Sequence, residues 1–216
     1  MQKSDRTFLD KMQALYADIK KQIAAPVEDP GVVGLIHPQY VMSTIDKIAD
    51  DNAIFTVDTG MNCTWSAQYI NATGKRIMLA SYFHGTMANA MPQAIGAALA
   101  CPDRQVIALC GDGGLAMLLG DLMTIVQYKL PIKIMIFDNS SLGMVRLEME
   151  GDGLQPWQTD MENPDFVEIA TAMGFAGIKV NDPTQVEPAI KQAFSAPGPV
   201  IVSFTTDKNA MPPKLF

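Results

Sequence analysis

The chain has 216 residues, 48% hydrophobic and 18% charged, which suits a sizeable buried core and excludes a disordered segment. Sixteen Lys and Arg against 23 Asp and Glu give a formal charge of −7, so no basic surface for nucleic acid or anionic lipid is expected. Two histidines exclude a multi-histidine metal centre, and three cysteines without a CxxC pair exclude a zinc ribbon or a disulfide scaffold.

In chain order, Phe8, Met12, Leu15, Ile19 and Ile23 recur at spacings of four, three, four and four, an amphipathic helix with Ser4 or Asp5 as its N-cap. Pro26, Pro30, Gly31, Gly34 and Pro38 then mark a linker. Residues 1–37 read as the last helix and linker of a preceding domain, and the whole chain as a piece of a longer polypeptide whose next domain is 38–216. Beyond Pro38 helices and strands alternate: helix 39–49, strand 54–58, helix 63–70, strand 77–80, helix 89–100 and strand 105–110. A short helix after Gly114, helix 120–129, strand 132–138, helix 164–173, strand 177–180, helix 184–195 and strand 199–205 follow. The runs Val106–Cys110 and Ile132–Phe137 are almost wholly apolar, as strands covered on both faces must be. The expected fold is therefore α/β, a doubly wound, mostly parallel sheet with helices on both faces and ligands at the carboxyl ends of its strands. No apolar run reaches the roughly 18 residues of a membrane span, and the N-terminus carries no signal-peptide pattern, so a cytoplasmic setting is expected.

The strand Val106–Cys110 runs into Gly111-Asp112-Gly113-Gly114-Leu115-Ala116. Glycines between a strand and a helix let backbone N–H groups approach a diphosphate. The letters also fit a G-x-G-x-x-A dinucleotide turn, with Asp138 at the end of the next strand as the ribose-binding acid. That reading describes a nucleotide-binding module without turnover. Asp112 speaks against it, because a carboxylate beside a diphosphate is repelled unless a cation lies between them. A divalent metal with oxygen ligands resolves the clash, and Asn139, ending the neighbouring strand, completes such a shell.

Gly111-Asp112-Gly113 followed by Asp138-Asn139, with Asn139 27 positions beyond Asp112, resembles the cofactor motif of thiamin diphosphate enzymes. The family usually has Asn-Asn where this chain has Asp138-Asn139, and its second Asn is the ligand. The resemblance covers almost the whole chain: Asp58-Thr59-Gly60 and His84-Gly85-Thr86-Met87-Ala88-Asn89 are similar to the pyrophosphate-binding domain of the pyruvate oxidase and acetohydroxyacid synthase group. It implies that Asp112, the Asn139 side chain and the Ser141 carbonyl hold Mg²⁺ on the diphosphate. Gly111, Gly113, Gly114, Leu142 and Gly143 would lie along the cofactor. The Gly85 carbonyl would accept a hydrogen bond from the aminopyrimidine, and Met87 would wedge under the cofactor to bend it.

In Leu142-Gly143-Met144-Val145-Arg146-Leu147-Glu148, an acid at Glu148 beside an apolar Val145 resembles the substrate pocket of pyruvate oxidases and quinone-linked pyruvate dehydrogenases. Acetohydroxyacid synthases share Leu142–Arg146 but usually continue Gln-Trp. Oxidases often carry an aromatic residue where this chain has Met144. The ending Asn209-Ala210-Met211-Pro212-Pro213-Lys214 also resembles the oxidising branch. The expectation is a domain of a flavoenzyme that decarboxylates pyruvate oxidatively to acetyl phosphate or acetate, with acetohydroxyacid synthase as the alternative. The resemblance further implies FAD on a separate domain, a pyrimidine-binding domain of a neighbouring subunit carrying the activating Glu, and a homo-tetramer at full length. Quinone-linked members add peripheral membrane association. The isolated fragment is expected to be inactive and to self-associate.

Overall fold

In the computed structural model, which describes residues 5–24 and 27–212, the apolar runs form the middle of one parallel sheet. The chain begins with α1 (Thr7–Ala24), whose expected cap Ser4 and following Pro26 lie outside the described residues. The Asp5 carboxylate accepts from the Thr7 amide at 2.9 Å just ahead of the helix. Its apolar stripe exists but finds little to cover it: Ile23 is buried and Ile19 packs against the core, whereas Phe8 is 74% exposed.

The Pro/Gly stretch is not merely extended. It makes a two-residue hairpin, β1 (Gly31–Val32) and β2 (Leu35–Ile36), which the sequence reading passed over. Gly31 has φ +85° and a Cβ there would meet the Leu35 carbonyl at 2.3 Å, so no other residue fits this turn. Ile36 is fully buried and bridges to Thr206, tying the hairpin to the domain.

From there the chain alternates α2 (Pro38–Ile48), β3 (Ile54–Val57), α3 (Met61–Tyr69), β4 (Ile77–Ala80), α4 (Ala90–Ala100), β5 (Val106–Gly111) and α5 (Asp112–Met117). A 3₁₀ turn at Leu119–Asp121 leads into α6 (Leu122–Gln127), then β6 (Lys133–Asp138), α7 (Gly143–Gly151), α8 (Phe166–Met173), β7 (Ala176–Val180), α9 (Val186–Ser195) and β8 (Val200–Thr205). The six strands lie in the order β4-β3-β5-β6-β8-β7, all parallel, so the expected doubly wound α/β sheet is the fold. Alternate strand residues feed two cores: Phe55, Leu109, Met135 and Phe204 meet Met42, Trp65 and Ile190, while Ala108, Cys110, Ile134 and Ile136 meet Met91, Leu122 and Phe166.

Three expectations change. The short helix starts at Asp112 rather than after Gly114, because Gly111 is already extended (φ −77°, ψ 154°) and takes the N-cap place. The helix expected over 120–129 splits at the 3₁₀ turn. Helix α7 had no assignment, and none of its residues is buried. By contrast α8 ends as its sequence dictates: Asp165 caps the Val167 and Glu168 amides, and Gly174 at φ +105° closes it. Among the described residues no helix is long and apolar enough to cross a membrane.

Candidate cofactor site

The chain reverses direction across the sheet between β3 and β5, and a cavity of about 270 Å³ opens at the carboxyl ends of the strands beside that point. All twelve residues singled out in the sequence line it: Gly85, Met87, Gly111, Asp112, Gly113, Gly114, Asn139, Ser141, Leu142, Gly143, Val145 and Glu148. Residues at positions from 85 to 148 meet because β5 and β6 are neighbours, with Gly111 paired to Phe137 in register.

Asp112 is 4% exposed and fully engaged. Its Oδ1 accepts from the Gly113 amide at 2.8 Å, and its Oδ2 accepts from the Ser140 amide at 2.7 Å and from Asn163 Nδ2 at 2.8 Å. Burial pushes its carboxyl upward from the ordinary range, and the neighbouring Asp138 adds to the rise. Ser140 adopts φ +51°, unusual for a residue with a side chain, and this conformation aims its amide at Asp112. Asn139 Oδ1 accepts from the Ser141 amide at 3.0 Å.

Two contributors escaped the sequence reading of site roles. Asn163 Nδ2 donates to both Asp112 Oδ2 and Asp138 Oδ1 at 2.8 Å, holding two carboxylates together. Its only signal was an Asn-Pro pair before a helix. Asp58, 2% exposed at the end of β3, accepts from the Ala90 amide at 2.8 Å through Oδ1, while Oδ2 is buried with no partner among the described residues. Burial raises its carboxyl to about 6 against the pull of the Ala90, Gly111 and Asn89 amides. A Cβ on Gly114 would stand 2.3 Å from that oxygen, so this position must stay glycine.

The donors fit a hard cation. One carboxylate from the end of β5, one amide oxygen and one carbonyl from the loop after β6, and remaining ligands from a diphosphate and water match the oxygen shell that Mg²⁺ prefers. No cluster of three or more His, Cys, Asp or Glu capable of holding a metal occurs among the described residues, so such a cation depends on its ligand's oxygens. The glycines fit a close-lying cofactor: a Cβ on Gly113 would approach the Met87 methyl to 3.2 Å and Leu142 Cδ2 to 3.4 Å.

Residues 58–204 match the family described as thiamine pyrophosphate enzyme, C-terminal TPP binding domain. The chain belongs to this family. The thiamine pyrophosphate domain takes precedence over the dinucleotide reading of Gly111–Ala116. The chain is similar to "Putative thiamine pyrophosphate-containing protein YdaP" of Bacillus subtilis, with 34% identity over 93% of this chain and 34% of that protein. Acetolactate synthase large subunits of Porphyra purpurea (37% identity over 81% of this chain and 30% of theirs) and Parasynechococcus marenigrum (36% over 82% and 29%) are also relatives. The chain thus spans about a third of the length of the curated relatives it matches.

Proposed function

We propose that this thiamine pyrophosphate domain anchors thiamin diphosphate through Mg²⁺ in an enzyme that decarboxylates pyruvate and joins the remaining two-carbon unit to a second 2-oxo acid. The names of the acetolactate synthases support that fate, the alternative drawn from the sequence, better than the oxidative reading favoured there. The observation that carries the cofactor assignment is the convergence of Asp112 and Asn139 from adjacent strand ends on one glycine-lined cavity.

Bound thiamin diphosphate would supply the carbon nucleophile and electron sink for loss of CO₂. Asp112, Asn139 and the Ser141 carbonyl would hold the cation, with Asn163 and the Ser140 amide fixing the Asp112 carboxylate for it. Met87 and Leu142 press on the cavity over Gly113 and would keep the cofactor bent, while the Gly85 carbonyl would orient its pyrimidine. Val145 and Glu148 on α7 face the same cavity and would meet the substrate. The remaining machinery, the pyrimidine-binding domain of a neighbouring subunit and an FAD domain in a homo-oligomer, would come from other parts of the assembly.

A second reading, oxidation of pyruvate with FAD as electron acceptor, draws on Glu148, an acid lining the cavity in the stretch where synthases usually continue Gln-Trp after the Arg146 position. The test is product analysis from [2-¹³C]pyruvate with the full-length enzyme saturated in thiamin diphosphate, Mg²⁺ and FAD. Acetolactate is the expected product. Acetate or acetyl phosphate with flavin bleaching establishes the second reading, and failure to release CO₂ removes both.

A further inference from the structure

Among the described residues the cofactor cavity has two cationic side chains, Arg146 in the first turn of α7 and Lys208 in the loop after β8. Both also line a second, more polar hollow of about 460 Å³ walled by Trp157, Thr159 and Asp160. They therefore stand on the partition between the two spaces. Arg146 is held in place: Nε donates to Glu150 Oε1 at 2.9 Å and Nη2 to Asn209 Oδ1 at 3.0 Å, with the side chain 19% exposed. A guanidinium has five N–H donors, so three remain for a ligand. Lys208 donates to Asp160 Oδ1 at 2.9 Å, and both members of this pair are solvent-exposed. An exposed pair of this kind is weak and yields to a competing anion. Lys208 foremost, and Arg146 also, hold the Asp160 carboxyl below the ordinary carboxylate range, so the two positive fields meet where that carboxylate sits.

The chemistry of decarboxylation decides which anion belongs there. An ion pair on the carboxylate that leaves as CO₂ stabilises the reactant more than the transition state and slows the step. The second reactant keeps its charge throughout, and a fixed guanidinium can orient it without that penalty. We propose that Arg146 and Lys208 form a subsite for the oxyanion of the second reactant, which enters through the polar hollow and displaces Asp160. That oxyanion is the carboxylate of an acceptor 2-oxo acid or, if the oxidative reading holds, inorganic phosphate. The subsite rests on the reading of the cavity as a 2-oxo acid site.

The experiment titrates this chain with pyruvate, and separately with inorganic phosphate, against chloride at matched ionic strength, following the Arg146 Nε–H and Trp157 indole N–H resonances by NMR. Saturable shifts of both signals with either anion, beyond those of chloride, are expected, and the tighter binder names the source. Arg146→Gln should weaken binding about tenfold, the loss of a charge-assisted hydrogen bond. Lys208→Gln, at an exposed position that spares the fold, should weaken it less, and Asp160→Asn should tighten it by removing the competing carboxylate. Shifts no larger than with chloride, or affinity unchanged in both Arg146→Gln and Lys208→Gln, overturn the proposal. A parallel titration with thiamin diphosphate and Mg²⁺ separates the two readings: no cofactor binding beside a saturable, Arg146-dependent anion response removes the cofactor assignment and leaves the oxyanion subsite standing.

Discussion

At the amino edge of the sheet, where α2 and α9 end, the buried cations Arg76 and Lys133 have partners within the chain, the equally buried Asp46 carboxylate among them. Arg76 reaches the Asp46 carboxylate and the carbonyls of Asp46, Ala49 and Asp50, and its guanidinium lies 5.6 Å from the centroid of the Phe55 ring. Lys133, 4% exposed, donates to the Ala196 and Gly198 carbonyls at 2.6 Å each. At the carboxyl edge, where α4 and α5 begin, the buried charges are Asp58 and Asp112. The difference follows from helix direction: in a parallel α/β sheet every helix ends at one edge, offering carbonyls to cations, and starts at the other, offering N–H groups to anions. At the first edge these charges are satisfied within the chain and stabilise the fold. The other keeps an unpartnered Asp58 oxygen and two carboxyls shifted toward their neutral form, a cost that a cation on Asp112 would offset.

The contrast breaks most visibly at Arg76. Arg76→Ala should cost about 3 kcal/mol of stability by leaving the Asp46 carboxylate buried without its cation, held only by the Asn71 amide and side chain, with cofactor affinity unchanged at temperatures where the variant is folded; urea melts and calorimetric titration measure the two. Asp112→Ala should do the reverse, weakening Mg²⁺-dependent thiamin diphosphate binding roughly 100-fold, as expected from losing a charged ligand group, while the melting temperature of the free protein holds or rises. Substituting Asn163 by Ala removes two hydrogen bonds to carboxylates and should weaken the cofactor by roughly tenfold. A loss of stability without loss of affinity there would move Asn163 to the structural side of the comparison.

Proton linkage gives a subtler contrast. Both acids titrate higher in the folded chain than unfolded, so the folded state binds more protons and their contribution is fully present below about 4. That contribution is lost as pH rises through about 6 for Asp58, and Asp112 acts in the same direction. The melting temperature of the free protein should therefore rise as pH falls from 7 toward 5, and Asp58→Asn should flatten the profile. Saturating Mg²⁺ and thiamin diphosphate should flatten it further by favouring ionised Asp112.

Much of the carboxyl edge could be read from the chain because Asp112 and Asn139 each come just after an almost wholly apolar run, and a buried parallel strand announces its own end. Gly113 and Gly114 read as a turn but lie in the first turn of α5, and the reason for Gly114, the Asp58 oxygen against it, is a contact 56 residues away in sequence. Helix α7 was missed because it is only nine residues long and opens on Leu142-Gly143 without a capping side chain, so little in the sequence marks its start. Asn163 was missed because a single Asn-Pro carries no sign of two carboxylates brought beside it from other strands. The opposite error occurred in α1, where a clear stripe stays mostly exposed among the described residues, since periodicity shows a face and not what covers it.

Anomalous diffraction from crystals grown with thiamin diphosphate and Mn²⁺ in place of Mg²⁺ tests directly for a cation between Asp112 and a diphosphate. The predicted result is a single strong peak about 2.1 Å from an Asp112 carboxylate oxygen and from Asn139 Oδ1, bridging to the diphosphate. A diphosphate bound in the cavity with no metal on Asp112, or a metal peak elsewhere, would contradict it.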